Sequence, residues 1–206
     1  MPVTINGNGS ITGLSVGGLG SGVVNNTSLA NSTIETAKLT AAAQSSLKTL
    51  SFFNQWRLVS DGAAGVNGVL GNSDSGTTWE QVDTYGYSGL GGNMTESGGI
   101  FSFPSTGIYL IQGAFRILTA GNDTTVNVIL NVTTDNSSYN NVSYTSGGCS
   151  GSTVNQTSTS AHIFDVTNTS THKLRFLTES MASGSYPHGS NSDSQSWFTV
   201  IKLAET

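Results

Sequence analysis

Few residues in this chain have types and spacings that could do chemistry. "GLSVG", Gly13 to Gly17, fits the Gly-x-Ser-x-Gly pattern of a nucleophile elbow. That pattern exposes a reactive serine only where a strand before it and a helix behind it hold the turn. Here it lies in a Gly-rich stretch near the N-terminus, so the match reads as chance. The three histidines, His162, His172 and His188, are dispersed, and no HxH, HExxH or Cys/His grouping supplies zinc ligands. His162 alternates with Phe164 along one strand face and reads as a packed or interface histidine. His188, in "SYPHGSNSDS", sits in a loop, either solvated or touching a ligand. Cys149 is the single cysteine, with no intrachain partner and no neighbouring His or Lys to lower its pKa, and reads as a structural thiol. The 12 acidic residues are scattered. Glycosidase carboxylates need not be close in sequence, but nothing marks out a pair. The expectation is a protein without catalysis, metal or cofactor.

The elements that must position these residues belong to an unusual composition. Charged residues make up 9% of the 206, against roughly 25% in an ordinary soluble domain. Solubility therefore rests on hydroxyls and amides, which suit strands and turns. With eight Phe, six Tyr, three Trp and a net charge of −5, the chain does not read as disordered. Seven scattered basic residues offer no electrostatic footprint for nucleic acid and no polybasic membrane patch. "MPVTINGNGS" lacks the regions of a signal peptide, and no apolar run reaches the ~20 residues of a membrane span. The chain is thus expected to be made in a cytoplasm. Its N-x-S/T sequons, such as those at Asn131 and Asn168, follow from the composition rather than from glycosylation.

Three zones follow one another. Residues 1–31 are Gly/Asn-rich with spaced apolar residues, among them Ile5, Ile11, Leu14, Val16 and Leu19, and read as an extended strap that orders against another surface. Residues 32–50 read as the one helix, opened by the capping box of Ser32 and Glu35. Its stripe Leu39, Ala43, Leu47 and Leu50 is narrow, and suits either self-association about an axis or packing on its own domain. Residues 51–206 alternate with the period of strands: Val126, Val128, Leu130 and Val132 share one face, as do Tyr109, Ile111, Phe115 and Ile117. Roughly eight to ten short strands are expected, hence a mainly β jelly-roll sandwich. "NQWRLV" and "VNGVL" are expected to form an early hairpin. "IFSF" and "IYLIQGAFRI" are expected to form another through the middle of the sandwich, with Pro104 and Gly107 in its turn and Gly113 admitting a bulky neighbour.

Phe101, Phe103, Pro104, Gly107 and Tyr109 resemble the F-x-P-x-x-G-x-Y segment of the complement globular-head and tumour necrosis factor jelly-roll superfamily. "SWFTVIKL" stands where that superfamily buries its last strand in the trimer axis or core. The segment from "QWRLV" to "GIYLI", and the strap and helix before it, resemble parts of virion appendage proteins of tailed phages. The resemblance implies a homotrimer attached through its N-terminus, with a structural or binding role and no catalysis. Calcium ligands common in the animal relatives are not matched, because Asp74, Asp123, Asp135 and Asp193 stand as isolated singles. Candidate trimer contacts are then Leu39, Ala43, Leu47, Leu50, Tyr109 and Trp197. The strap residues Ile5, Ile11, Leu14, Val16 and Leu19 are candidate anchors to tail or capsid proteins. Tyr139, Tyr144, Tyr186 and His188 lie in Ser/Asn/Gly/Tyr-rich stretches that either face a host-surface polysaccharide or protein, or merely keep the particle soluble. Two roles stand side by side in the virion: a tail fibre that recognises the host, and a capsid decoration or head fibre. A glycan-degrading enzyme is a third.

Overall fold

The structure, a computed structural model, describes residues 50–206 and two short strands, β1 (Thr4–Ile5) and β2 (Ile11–Thr12). The chain divides into two compact units, Met1–Thr49 and Leu50–Thr206. In the first, β1 and β2 pair antiparallel, with Ile5 opposite Ile11. The expected helix, with Leu39, Ala43 and Leu47, lies outside the described residues, as do Leu14, Val16, Leu19 and the Gly13–Gly17 motif.

The second unit is a jelly-roll sandwich. Its strands are β3 (Phe53–Leu58), β4 (Gly68–Val69), β5 (Trp79–Gln81), β6 (Thr95–Ser97), β7 (Ile100–Ser102), β8 (Gly107–Thr119), β9 (Val126–Thr133), β10 (Asn140–Gly147), β11 (Val154–Val166), β12 (Lys173–Glu179), β13 (Tyr186–Pro187) and β14 (Trp197–Ala204). One sheet runs β10-β9-β12-β7-β6, with β4 also on β12; the other runs β11-β8-β14-β3-β5, with β13 also on β8. All described pairings are antiparallel, joined largely by connections between the sheets.

Alternation along each strand builds the core between the sheets. Tyr109, Ile111, Phe115 and Ile117 of β8 point inward, against Val126, Val128, Leu130 and Val132 of β9 and Leu174 and Phe176 of β12. At the centre, Trp79 meets Phe101, Phe176 and Phe198 at ring-centroid distances of 5.7, 5.9 and 5.2 Å. Its indole N–H donates to the Leu70 carbonyl at 2.9 Å, so this buried polar group is satisfied. Gly113 is where β8 and β14 come close: a Cβ there would stand 3.0 Å from the Trp197 carbonyl oxygen and 3.2 Å from the Phe198 Cβ.

Two expected hairpins are absent. β7 pairs with β12 and β6, whereas β8 pairs with β11 and β14, so Pro104 to Gly107 carry the chain from one sheet to the other. The turn is real but its two strands are not partners. The Phe103 and Tyr109 rings, with centroids 4.8 Å apart and planes tilted by 47°, pack against each other in the core rather than as partners in one sheet. Likewise β3 pairs with β14 and β5, while β4 joins β12. Sequence neighbours here part because each must place its own apolar face on a different sheet.

The side of the sandwich where β10 and β11 lie is closed by side chains. The Gln156 amide accepts from the Gly148 N–H at 2.9 Å and donates to the Gly148 carbonyl at 2.5 Å, as a neighbouring strand's peptide group would. Ser158 Oγ adds a bond to the Ser146 carbonyl at 3.0 Å.

Candidate functional site

The inward residues of β8 leave Leu110, Gln112, Ala114 and Arg116 on its outward face. Strand register sets Leu110 beside Ile163 of β11 and Ile201 of β14, and Ile201 beside Phe53 of β3. The result is an apolar row, Ile163–Leu110–Ile201–Phe53, crossing four strands on the side away from the core. Ile163 is 59% exposed. A second row, Thr159–Ala114–Trp197–Arg57, runs beside it, with Trp197 half-buried. Arg57 ends this face as a buried clamp. Its Nε donates to Glu80 at 2.6 Å, Nη1 to Thr84 at 2.8 Å, and Nη2 to Asp83 at 3.0 Å and to the Asn191 carbonyl. Next to the clamp is a cavity of about 310 Å3 lined by Gln55, Thr84, Tyr85, Tyr87 and Asp193. A hydrogen bond from the Ser190 side chain holds the Asp193 carboxyl below the usual carboxylate range. Tyr85 is 91% exposed at a backbone φ of 55°, a left-handed conformation uncommon for any residue but glycine.

The outward face of the other sheet has a different make-up. A chain of side-chain hydrogen bonds crosses three strands in one direction. Arg175 Nε donates to Asn131 Oδ1 at 2.8 Å, Asn131 Nδ2 donates to Asn141 Oδ1, and Asn141 Nδ2 donates to Tyr144 Oη at 2.6 Å. The Arg175 guanidinium carbon sits 3.7 Å from the centroid of the Tyr139 ring, a cation–π contact. Tyr139 has its pKa raised, chiefly because its hydroxyl is partly buried, with Arg175 opposing that shift. Lys173 lies two residues from Arg175 on the same face and donates to Ser102 Oγ at 2.7 Å and the Thr169 carbonyl at 3.0 Å. Beside these cations β6 and β7 line a cavity of about 280 Å3 with Thr95, Glu96, Ser97, Ile100 and Ser102.

The residues singled out in the sequence fall in several places. Tyr109 is fully buried between the sheets, its hydroxyl donating to the Ser105 carbonyl at 3.0 Å, so it is a core residue and not a subunit contact. Its alternation with Ile111 was the signal for that. Trp197 lies on the apolar outward face, and Leu50 is exposed at the start of the unit. Tyr139 and Tyr144 belong to one network, on the loop after β9 and on β10 respectively. Tyr186 and His188 are at the opposite end, where Tyr186 pairs with Leu118. There His188 Nδ1 lies 3.0 Å from Asp61 Oδ1 and Nε2 lies 2.6 Å from Asn155 Oδ1, tying three segments together. The four do not form a single site. Cys149 Sγ donates to the carbonyls of Thr119 at 3.4 Å and Gly121 at 3.2 Å, which suits a structural thiol. Among the described residues no three His, Cys, Asp or Glu side chains gather as metal ligands. Arg175 and Asn141 carry no mark as candidate site residues in the sequence and Asn131 stands out there only as a sequon, although the alternate positions of Arg175 in "HKLRFLT" and of Asn131 in "VNVILNV" place these two outward.

No protein-family model matches the chain. No curated protein matches it either. Solved structures do. The structure of Eiger TNF from S. frugiperda superposes with a TM-score of 0.53 at 14% identity, over 76% of this chain and 95% of that one. The crystal structure of murine APRIL at pH 5.0 gives 0.50 at 13% identity, over 74% and 98%. The likeness is one of fold: a tumour necrosis factor-like jelly roll.

Proposed function

We propose that this chain is a homotrimeric structural protein of a tailed-bacteriophage particle, a tail appendage held by residues 1–31 whose jelly-roll head binds the host surface without catalysing a reaction. The observation that carries self-association is the apolar row Ile163–Leu110–Ile201–Phe53, facing away from the core. Covering one side chain of this size contributes about 1.5–3 kcal/mol. The row runs from edge strand β11 to β3 near the far side of the same sheet. Contact of the β11 side of one copy with the β3 side of the next is heterologous, and a ring of three closes it without open-ended assembly. The virion setting rests on the resemblance of "QWRLV" to "GIYLI", and of the strap, to phage appendage proteins.

Light scattering on the purified chain tests the assembly: three copies per particle are expected at micromolar concentration, and a stable monomer overturns it. Electron microscopy of phage particles labelled with an antibody to residues 51–206 tests the setting. Label at the tail supports an appendage. Label over the head makes the chain a capsid decoration protein instead, and unlabelled particles remove the virion from the account.

A further inference from the structure

We propose that the outward face of β10, β9, β12 and β7 is a binding site for an acidic saccharide, with Arg175 receiving the carboxylate and Tyr144 carrying the sugar ring. The inference deepens the reading of the head as a host-recognition domain and rests on it.

The argument starts from direction. Each hydrogen bond in the Arg175–Asn131–Asn141–Tyr144 chain is donated away from Arg175, so the Tyr144 hydroxyl accepts from Asn141 and keeps its own proton free. At the other end Arg175 spends only Nε, and its Nη groups donate to no described residue. Both termini of the chain therefore offer donors, and a complementary ligand must offer acceptors. Asn131 is only 2% exposed, so the chain is anchored in the sheet and its ends are held in place before any ligand arrives.

Charge narrows the choice. Lys173 and Arg175 share one face of β12, and neither forms an ion pair with a described residue. Their acidic neighbours are already engaged. Asp135 accepts from the Ser137 and Ser138 N–H groups and from Thr133, and Glu96 accepts from the Gly99 N–H at 2.6 Å. A planar guanidinium stacked on Tyr139 presents a flat pair of Nη donors, the geometry that a carboxylate takes bidentately.

Shape favours a sugar over an acidic peptide. Although β10 is the edge strand, the groups that would recognise a ligand are side chains on the face of the sheet and not its edge peptide groups, so they do not call for a peptide backbone. Tyr144 is 54% exposed and offers a flat apolar ring beside polar groups. Register continues the rows from Arg175 to Ile100 and Ser97, and from Lys173 to Ser102 and Thr95, into the cavity of about 280 Å3. The hydroxyls of Thr95, Ser97 and Ser102, with Ile100 and Glu96 beside them, line the path on which a second sugar would lie.

The test is calorimetric titration of the full chain with a panel of uronate and sialate oligosaccharides, each beside its carboxyl-methylated form. Binding of at least one acidic member is expected, with about tenfold or greater loss on methylation and the same loss in Arg175→Gln. Arg175→Lys keeps the charge but not the flat fork and should recover only part. Tyr144→Phe, which keeps the ring, should weaken binding several-fold. Melting curves show that each variant is folded, and Lys173→Gln, at a more peripheral cation, repeats the test if Arg175→Gln is not. No binding across the panel overturns the inference, as does equal binding of acid and ester, or binding of poly-glutamate as tight as that of the saccharide. Light scattering on the same samples separates the two readings. A trimer that binds no acidic saccharide sinks this inference alone, whereas a monomer sinks the proposed assembly.

Discussion

On one outward face of the sandwich, β8 and β11 set Leu110 beside Ile163; on the other, β9 and β12 set Asn131 beside Arg175. The backbone is the same antiparallel ladder in both places. The apolar pair has nothing to hold in a fixed direction and gains only by being covered, which suits a large partner surface such as a second copy. The polar pair is already satisfied internally and leaves directed donors at its ends, which suits a small ligand with acceptors. In the proposed roles, an associating face and a recognising face thus differ in whether their side chains bond to one another.

The largest expected effect breaks the apolar side. Ile163→Asp with Ile201→Asp would set charges into the apolar row and should turn the proposed trimer into monomers at micromolar concentration, as read by sedimentation. Circular dichroism should stay unchanged, because neither side chain faces the core. The next effect sharpens the polar side. Asn131→Ala would remove the buried link between half-buried Arg175 and exposed Asn141, costing about 0.5–1.5 kcal/mol of unfolding free energy in a denaturant titration. Salt then separates the faces. Raising ionic strength to about 1 M shortens the screening length to ~3 Å, which should weaken acidic-saccharide binding several-fold and leave the trimer intact.

The smallest effects concern pH. Burial holds His162 below the usual histidine range, so its neutral form is favoured in the folded chain. The unfolded chain then takes up the proton first as pH drops. Stability is full above the unfolded value near 6.5 and is lost as pH falls toward the lower folded value. His162→Gln should flatten that part of a melting-temperature profile. Asp135, held far below the usual carboxylate range chiefly by the backbone N–H of Ser138, acts in the same sense at lower pH. Its contribution is present above about pH 4 and fades only in strong acid, so Asp135→Asn should lower the melting temperature slightly at neutral pH and converge with the parent chain as the solution becomes strongly acid.

The alternation of β8, β9 and β12, and the close approach at Gly113, were legible because the period of two is local. Which strand pairs with which was not. A turn with Pro104 and Gly107 serves equally for a hairpin and for a crossing between sheets, and only partners far along the chain decide. The Ser/Asn/Tyr-rich stretch around Tyr139 and Tyr144 was visible by composition. Its meaning depended on Arg175 and Asn131, 44 residues apart, which the sheet brings into register. Tyr186 and His188 lie in a stretch of similar composition, and the sheet sets them at the other end, where His188 ties loops together.

The Gln156 clasp has a mechanical consequence. Where a barrel would be welded shut by backbone pairing, this sandwich is latched on its β10–β11 side by side chains, the Gln156 amide and the Ser158 hydroxyl. Rotation of one side chain releases both bonds to Gly148 without breaking a strand. The Gly148 amide should therefore exchange with solvent at the rate of that latch, far faster than the amides of β8 or β12. A methyl group at Gly147, which would collide with the Gln156 amide, would leave the latch open. Opening at this seam would therefore leave the core that joins the two sheets intact, and each face would keep its own pattern.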